Sequence, residues 1–202
     1  MVLARWPVPG RCKRRLAAGI GTARAAAVQR QLTDHTMACC RAIPLEAGPP
    51  EIVLAADPLG DRAVRDWAAA LGVDRGVRQG PGSLGLRMAR QLQRAFREGA
   101  GQVVLIGSDL PQLQPSDLTA AFQALNQGPL VLGPAQDGGY WLIGCSGQAP
   151  AELTAQLFSG MPWGTDQVLE RTLAASRRLG LEPALLASRA DLDHPADLTP
   201  WR

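Results

Sequence analysis

Short apolar runs alternate along the chain with longer stretches in which apolar positions recur every three or four residues. That alternation predicts strands separated by helices. A short opening strand over residues 1–4 leads through a Pro/Gly turn to a long helix over about 22–43, with Thr22 as N-cap. EIVLAA (51–56) reads as a buried strand, and residues 61–71 as a helix with Trp67 on its apolar face. A strand-like stretch near Val77 precedes a helix over 84–97. QVVLIGS (102–108) is apolar almost throughout, as central parallel strands are. PSDLTAAFQALNQ (115–127) starts a helix with Pro and Ser. PLVLGPA (129–135) and YWLIGC (140–145) follow as strands around a Gly-rich turn. A helix over 165–179, a strand over 183–188 and a short helix from Pro195 complete the pattern. Strands spaced by helices imply βαβ units, so one α/β domain over residues 1–202 with a mostly parallel sheet is expected.

Composition narrows the chemistry. The chain has 202 residues, 46% of them hydrophobic, enough for a substantial core. Its apolar runs are too short to span a bilayer, and no apolar h-region follows the first arginines. A cytoplasmic protein is therefore expected. His35 and His194 are the only histidines, which excludes a multi-histidine metal centre. Cys12, Cys39, Cys40 and Cys145 have no CxxC spacing, so zinc ribbons and dithiol redox motifs are disfavoured. Any metal must then be held by carboxylates and phosphates, which points to Mg²⁺ or Mn²⁺.

The net charge of +3 does not argue for a nucleic-acid partner. Its distribution is more informative. Lys13 is the single lysine among 20 arginines, and no acidic residue precedes Asp34. An Arg-rich compositional bias accounts for the arginines but not for the position of the one lysine.

Open α/β sheets place ligands at the carboxyl ends of their strands. Four polar clusters fall at such ends. PVPGRCKRRL (7–16) combines a Pro/Gly turn with Lys13, Arg14 and Arg15, which suits a di- or triphosphate, although no Walker motif is present. SDLP (108–111) puts Asp109 after a buried run, where a carboxylate needs a cation or hydrogen bonds. GPAQDGGYWLIG (133–144) sets Asp137 before two glycines, either a hairpin turn or a close backbone approach to a ligand. RADLDHPADL (189–198) offers Asp191 and Asp193 as a second carboxylate, with Asp197 serving the following helix.

These clusters, in this order, resemble the radical-SAM/selenodomain-associated transferases, also described as arsenosugar-biosynthesis glycosyltransferases. Pro7, Pro9, Gly10, Lys13, Arg15 and Leu16 match the pattern Pro-x-Pro-Gly-x-x-Lys-Thr-Arg-Leu, with Arg14 in place of Thr. Residues 107–111 match Gly-Ser-Asp-x-Pro, and residues 133–140 match Gly-Pro-Ala-x-Asp-Gly-Gly-Tyr. MPWGTDQVL (161–169) is similar to a Pro-Trp-Ser-Thr segment, with Gly164 at the Ser. LDHPADL (192–198) is similar to the family's Asp-x-Asp-Thr-Pro-Glu-Asp-Leu ending, with His194 at the Thr. PGSLGLRM (81–88) departs most, Leu86 standing where Leu-Gly-Glu-Arg-Met has Glu.

The resemblance implies a nucleotide-diphospho-sugar transferase superfamily member with a GT-A, Rossmann-like three-layer sandwich and a mixed sheet. It implies nucleotide contacts from Pro9, Gly10, Lys13, Arg15 and Ser108, and a divalent cation on Asp109 and Asp193, with Asp191 in reserve. Asp137, Gly138, Gly139 and Trp163 would line the sugar or acceptor side, Asp137 as base or orienting carboxylate and Lys13 stabilising the leaving group. The expected activity is glycosyl transfer from a nucleotide sugar to a small-molecule acceptor, without nucleic acid or membrane span. A homodimer is compatible with it. The alternative within the superfamily is a guanylyltransferase-like enzyme joining an NTP to a phosphorylated metabolite. A silent nucleotide-binding protein is the third reading.

Overall fold

The computed structural model describes residues 1–45, 48–149 and 152–201. The first half runs β1 (Val2–Arg5), α1 (Arg14–Ile20), α2 (Thr22–Arg41), β2 (Val53–Asp57), α3 (Asp61–Ala70), β3 (Arg75–Arg78) and α4 (Leu84–Arg97). The second runs β4 (Gln102–Ile106), α5 (Pro115–Gln127), β5 (Leu130–Pro134), β6 (Tyr140–Ser146), α6 (Leu153–Phe158), α7 (Val168–Arg178) and β7 (Ala184–Leu185). A 3₁₀ helix, Pro195–Trp201, follows.

The strands form one sheet in the order β3-β2-β1-β4-β6-β5-β7. Only β6 is reversed, pairing antiparallel with β4 and β5, while the remaining pairs are parallel. The carboxyl ends of β1, β2, β4 and β5 therefore share one edge with the amino end of β6. The order reverses between β1 and β4, the kind of switch point at which such sheets open a crevice.

Strand alternation divides the core into two layers. Val2, Ala4, Leu54, Ala56, Val104 and Ile106 pack with Met37, Val64, Trp67, Leu118 and Leu125 from α2, α3 and α5. Val103, Leu105, Leu130, Leu132 and Ile143 pack with Met88, Leu92, Leu153, Leu157 and Ala175 from α4, α6 and α7. The result is a three-layer α/β domain. Trp67 is buried as its helical position predicts, edge-on to Trp6 with ring centroids 4.7 Å apart. No helix among the described residues is long and apolar enough to cross a membrane.

Helix α4 starts where Ser83 accepts a hydrogen bond from the Leu86 amide. Helix α5 starts at Pro115 behind a Gln114/Asp117 capping box. Thr22 is the first helical residue of α2, and Gly21, with φ 84°, takes the N-cap position assigned to Thr22. A glycine provides that left-handed backbone without the clash a Cβ would make. The expected strand over 183–188 contracts to Ala184–Leu185. Helices α1 and α6 are additions to the sequence reading.

Candidate functional site

Three long-range ties assemble the sheet edge. The Leu192 amide donates to the Asp109 carbonyl at 3.0 Å. Ala135 and Arg189 form a parallel bridge, with Arg189 N–H to the Pro134 carbonyl and Gln136 N–H to the Arg189 carbonyl. Residues 189–193 thereby run past the ends of β4 and β5. Buried Leu16, Ala25, Leu32 and Leu192 form a small separate core that fixes α1 and α2 beneath the same edge.

Lys13 sits at the start of α1 in a left-handed conformation, φ 44°, the one described non-glycine residue with positive φ. A side chain in that region costs about 1–2 kcal/mol, so its surroundings must hold it there. They do: the side chain is only 3% exposed, and Nζ lies 2.7 Å from Asp109 Oδ1 and 3.0 Å from Asp193 Oδ1. Burial alone would lower the pKa of this ammonium. The charges and hydrogen bonds of Asp109 and Asp193 outweigh it and raise the pKa. Arg15, largely exposed, reaches Asp193 Oδ2 at 3.7 Å. Asp197 accepts the amides of Asp193 and His194 at 2.8 and 2.7 Å, serving the 3₁₀ helix as expected and keeping its own pKa low.

Asp191 differs from its neighbours. Its Oδ1 is buried and has no hydrogen-bond partner. Burial, joined by the charges of Asp109 and Asp137, pushes its pKa up to about 7 despite the nearby Lys13.

The Asp137-Gly138-Gly139 turn joins β5 to β6. Asp137 Oδ1 accepts the Gly139 amide at 2.9 Å, closing an Asx-type turn. Gly138 has φ 86°, and a Cβ there would stand 2.2 Å from the Asp166 carbonyl oxygen. The protein's own backbone, rather than a ligand, makes the close approach anticipated at Gly138. The Gly138 carbonyl also accepts the Leu169 amide at 2.8 Å, locking the turn to the start of α7.

A cavity of about 560 Å³ opens along this edge. It brings together Ser108, Asp109, Asp137, Gly139 and Trp163 of the sequence-derived set, and Asp191 joins them. Pro9, Gly10, Lys13, Arg15, Gly138 and Asp193 do not line it. Lys13 and Asp193 act on the cavity from behind, through Asp109.

Several cavity residues stood outside the candidate site residues read from the sequence. Gln29 of α2, buried, donates from Nε2 to Ser108 Oγ at 3.2 Å. At the far end Arg87 Nη1 contacts Asp57 Oδ2 at 2.8 Å and Gln79 Oε1 at 3.3 Å. Gln79 Nε2 in turn donates to the carbonyls of Ala4 and Ala55 at 3.1 and 3.0 Å. Asp57 closes β2, and reading every strand-terminal carboxylate as a site candidate finds it. Gln29 lies inside a helix, where the sequence offers no such mark, whereas Arg87 stands at the Arg of the Leu-Gly-Glu-Arg-Met pattern compared with residues 81–88.

Among the described residues, no group of three or more His, Cys, Asp or Glu side chains is placed to hold a metal ion. A cation at this edge would have two carboxylates and take its other ligands from water or phosphate, the usual mode for Mg²⁺ with nucleotides. The unpartnered Asp191 Oδ1, crowded by other carboxylates, is the group such a cation would satisfy. Asp193 is paired through both oxygens, with Lys13 and Arg15, and does not line the cavity.

A seven-stranded, mostly parallel sheet with a carboxylate-lined crevice at its switch point defines the nucleotide-diphospho-sugar transferase architecture. A protein from Desulfovibrio desulfuricans G20, described as a candidate nucleotide-diphospho-sugar transferase, superimposes with a TM-score of 0.84 at 28% identity, over 98% of this chain and 82% of its own. The chain belongs to the bacterial family described as uncharacterized protein conserved in bacteria (DUF2064), whose model matches residues 44–165. That span contains Asp109 and Asp137, while Lys13 and Asp191 flank it. Phosphoenolpyruvate guanylyltransferase of Rubrobacter xylanophilus is 35% identical over 69 residues, about a third of each chain. Glucosyl-3-phosphoglycerate synthase of Mycobacterium tuberculosis, in complex with Mn²⁺, UDP and glucosyl-3-phosphoglycerate, shares the fold at 17% identity. Its TM-score is 0.54, over 97% of this chain and 72% of its own.

Proposed function

We propose that this protein is a divalent-cation-dependent transferase that moves a sugar from a nucleotide-sugar donor to a small-molecule acceptor. The observation that carries the proposal is the pair Asp109 and Asp191 on one cavity at the sheet's switch point, the latter with a buried oxygen that lacks a partner. In this reading Asp109 and Asp191 hold the cation. When bound, it neutralises charge on the diphosphate leaving group.

The chain's own residues do the rest. Lys13 and Asp193 position Asp109, and the basic 5–15 segment, including cavity-lining Arg5, draws the phosphates to the edge. Gln29 orients the Ser108 hydroxyl at the cavity wall. The acceptor hydroxyl oxygen bonds to the anomeric carbon as the bond from that carbon to the diphosphate oxygen breaks. The hydroxyl proton passes to the Asp137 carboxylate, whose geometry the Gly139 amide fixes. The products are the glycosylated acceptor and a nucleoside diphosphate.

The similarity of residues 7–16, 107–111 and 133–140 to radical-SAM/selenodomain-associated transferases supports glycosyl transfer. Four buried free cysteines fit a reducing cytoplasm. The partial match to a guanylyltransferase favours a second reading, nucleotidyl transfer from an NTP with release of pyrophosphate. Calorimetry with nucleotide sugars and NTPs, each with and without Mn²⁺, followed by product analysis, separates the two. Nucleoside diphosphate release from a nucleotide sugar supports the first, and pyrophosphate release from an NTP replaces it with the second. Asp109→Asn is expected to abolish Mn²⁺-dependent donor binding. Retained binding and turnover would remove the metal assignment.

A further inference from the structure

We infer that the acceptor is an uncharged hydroxyl compound with an apolar body, seated against a wall of Leu84, Tyr140 and Trp163 that the buried Met88 and Ile143 back. The inference rests on the transferase reading above and names the class of its second substrate.

The wall is built before any ligand arrives. A Cβ at Gly85 would fall 2.8 Å from both the Phe158 carbonyl oxygen and Trp163 Cζ2, so the first turn of α4 lies directly on the tryptophan. Trp163 also stands edge-on to Tyr140, with ring centroids 6.3 Å apart. Leu84, held at this junction, lines the cavity and yet is 46% exposed. Leu86, two residues on, is 60% exposed but folds over Gly82 outside the cavity. An exposed leucine continuous with buried apolar surface inside a cleft marks a place where a ligand completes the burial.

Charge around the cavity gives the second half of the argument. The cations among its lining residues are Arg5 and Arg87. Arg87 is engaged by Asp57 and Gln79, and Arg5 ends β1 in register with Asp57, two strands from β6, whose first residue Tyr140 stands beside Trp163. The other charges lining the cavity are the carboxylates Asp109, Asp137 and Asp191. With Asp109 and Asp191 committed to the cation, the carboxylate left on the Trp163 side is Asp137, and a phosphorylated or carboxylated acceptor would meet it without a free cation among the described lining residues. A neutral alcohol with an apolar body meets no such penalty, and the Asp137 carboxylate is available for its hydroxyl.

The matched probes are benzyl alcohol and benzyl phosphate, observed by saturation-transfer NMR on the full chain with diamagnetic Mg²⁺. Benzyl alcohol is expected to bind more tightly than benzyl phosphate and to remain bound when UDP or GDP is added. Leu84→Ser is expected to weaken it about five-fold, whereas Leu86→Ser changes it less than about two-fold, since its side chain lies off the cavity. Both leucines are exposed, so neither variant threatens folding. No binding of benzyl alcohol, tighter binding of the phosphate, or equal effects of the two variants would overturn the inference. Displacement by UDP or GDP would give the wall to the nucleobase and overturn it too. Nucleotide affinity is measured separately by calorimetry, so loss of the donor site and loss of the acceptor wall give different results.

Discussion

Replacing Lys13 by Met removes the ammonium that stands between Asp109 and Asp193 and keeps an aliphatic stem of similar length. Two contacts of 2.7 and 3.0 Å disappear, and the two carboxylates are left without their shared cation. Breaking a fully buried ion pair costs about 3–5 kcal/mol. Asp109 and Asp193 expose 43% and 44% of their side chains, so water screens much of the residual repulsion. About 1–2 kcal/mol is the appropriate scale. For a domain of this size that corresponds to a Tm lower by about 2–8 °C. Lys13→Gly loses the same charge but relieves the left-handed backbone, φ 44°, and should recover about 1 kcal/mol relative to Met. The assay is thermal unfolding by circular dichroism, at low and high salt, with and without Mn²⁺. With the ammonium gone, the carboxylates at this edge keep more negative charge, so Mn²⁺ held by Asp109 and Asp191 should raise the Tm of Lys13→Met more than that of the unaltered protein. A variant that melts with the unaltered protein, or equal Mn²⁺ shifts in both, refutes the reasoning.

Further outcomes follow from the same edge. Lys13→Arg should weaken nucleotide binding far more than Arg24→Lys or Arg30→Lys in calorimetric titrations, because a planar guanidinium does not fit a nearly closed cradle shaped for a point charge; equal, small effects at all three sites would contradict this. The Asp191 carboxyl has a folded-state pKa of about 7, above its ordinary 3.8, so the folded state binds the extra proton and stability falls as pH rises between those values. The melting temperature of Asp191→Asn relative to the unaltered protein should therefore climb across that window and level off above it, and a difference independent of pH would refute the assignment. Gly138→Ala, with its Cβ driven onto the Asp166 carbonyl at a positive φ, should lower stability by at least about 2 kcal/mol in chemical denaturation.

Elements with local start signals were legible in the sequence to the residue. Helix α4 has Ser83 as its cap, and α5 has Pro115 and the Gln114/Asp117 box, so both run as predicted. Helix α1 is short and begins at a left-handed lysine without a capping side chain, leaving no start signal to read. The same limit applies to the site. Asp109 and Asp137 were visible because they close or follow apolar strands, where a carboxylate is conspicuous. That Asp191 rather than Asp193 lines the cavity was not, since it depends on an irregular segment pinned by the Leu192–Asp109 hydrogen bond and the Ala135–Arg189 bridge. Gly138 was legible as a constrained position, but the backbone that constrains it arrives from Asp166, distant in sequence.

Lys13 is the chain's only lysine, and its side chain is enclosed at 3% exposure. A protease that cuts solely after lysine thus has one target, and it lies at the candidate catalytic edge. Cleavage of the native protein requires that edge to open, so the cutting rate measures the population of the open state rather than of some distant frayed loop. Ligands that close the edge should slow the cut in proportion to their occupancy. The sequence thereby supplies a built-in reporter of site opening that needs neither a label nor a known substrate.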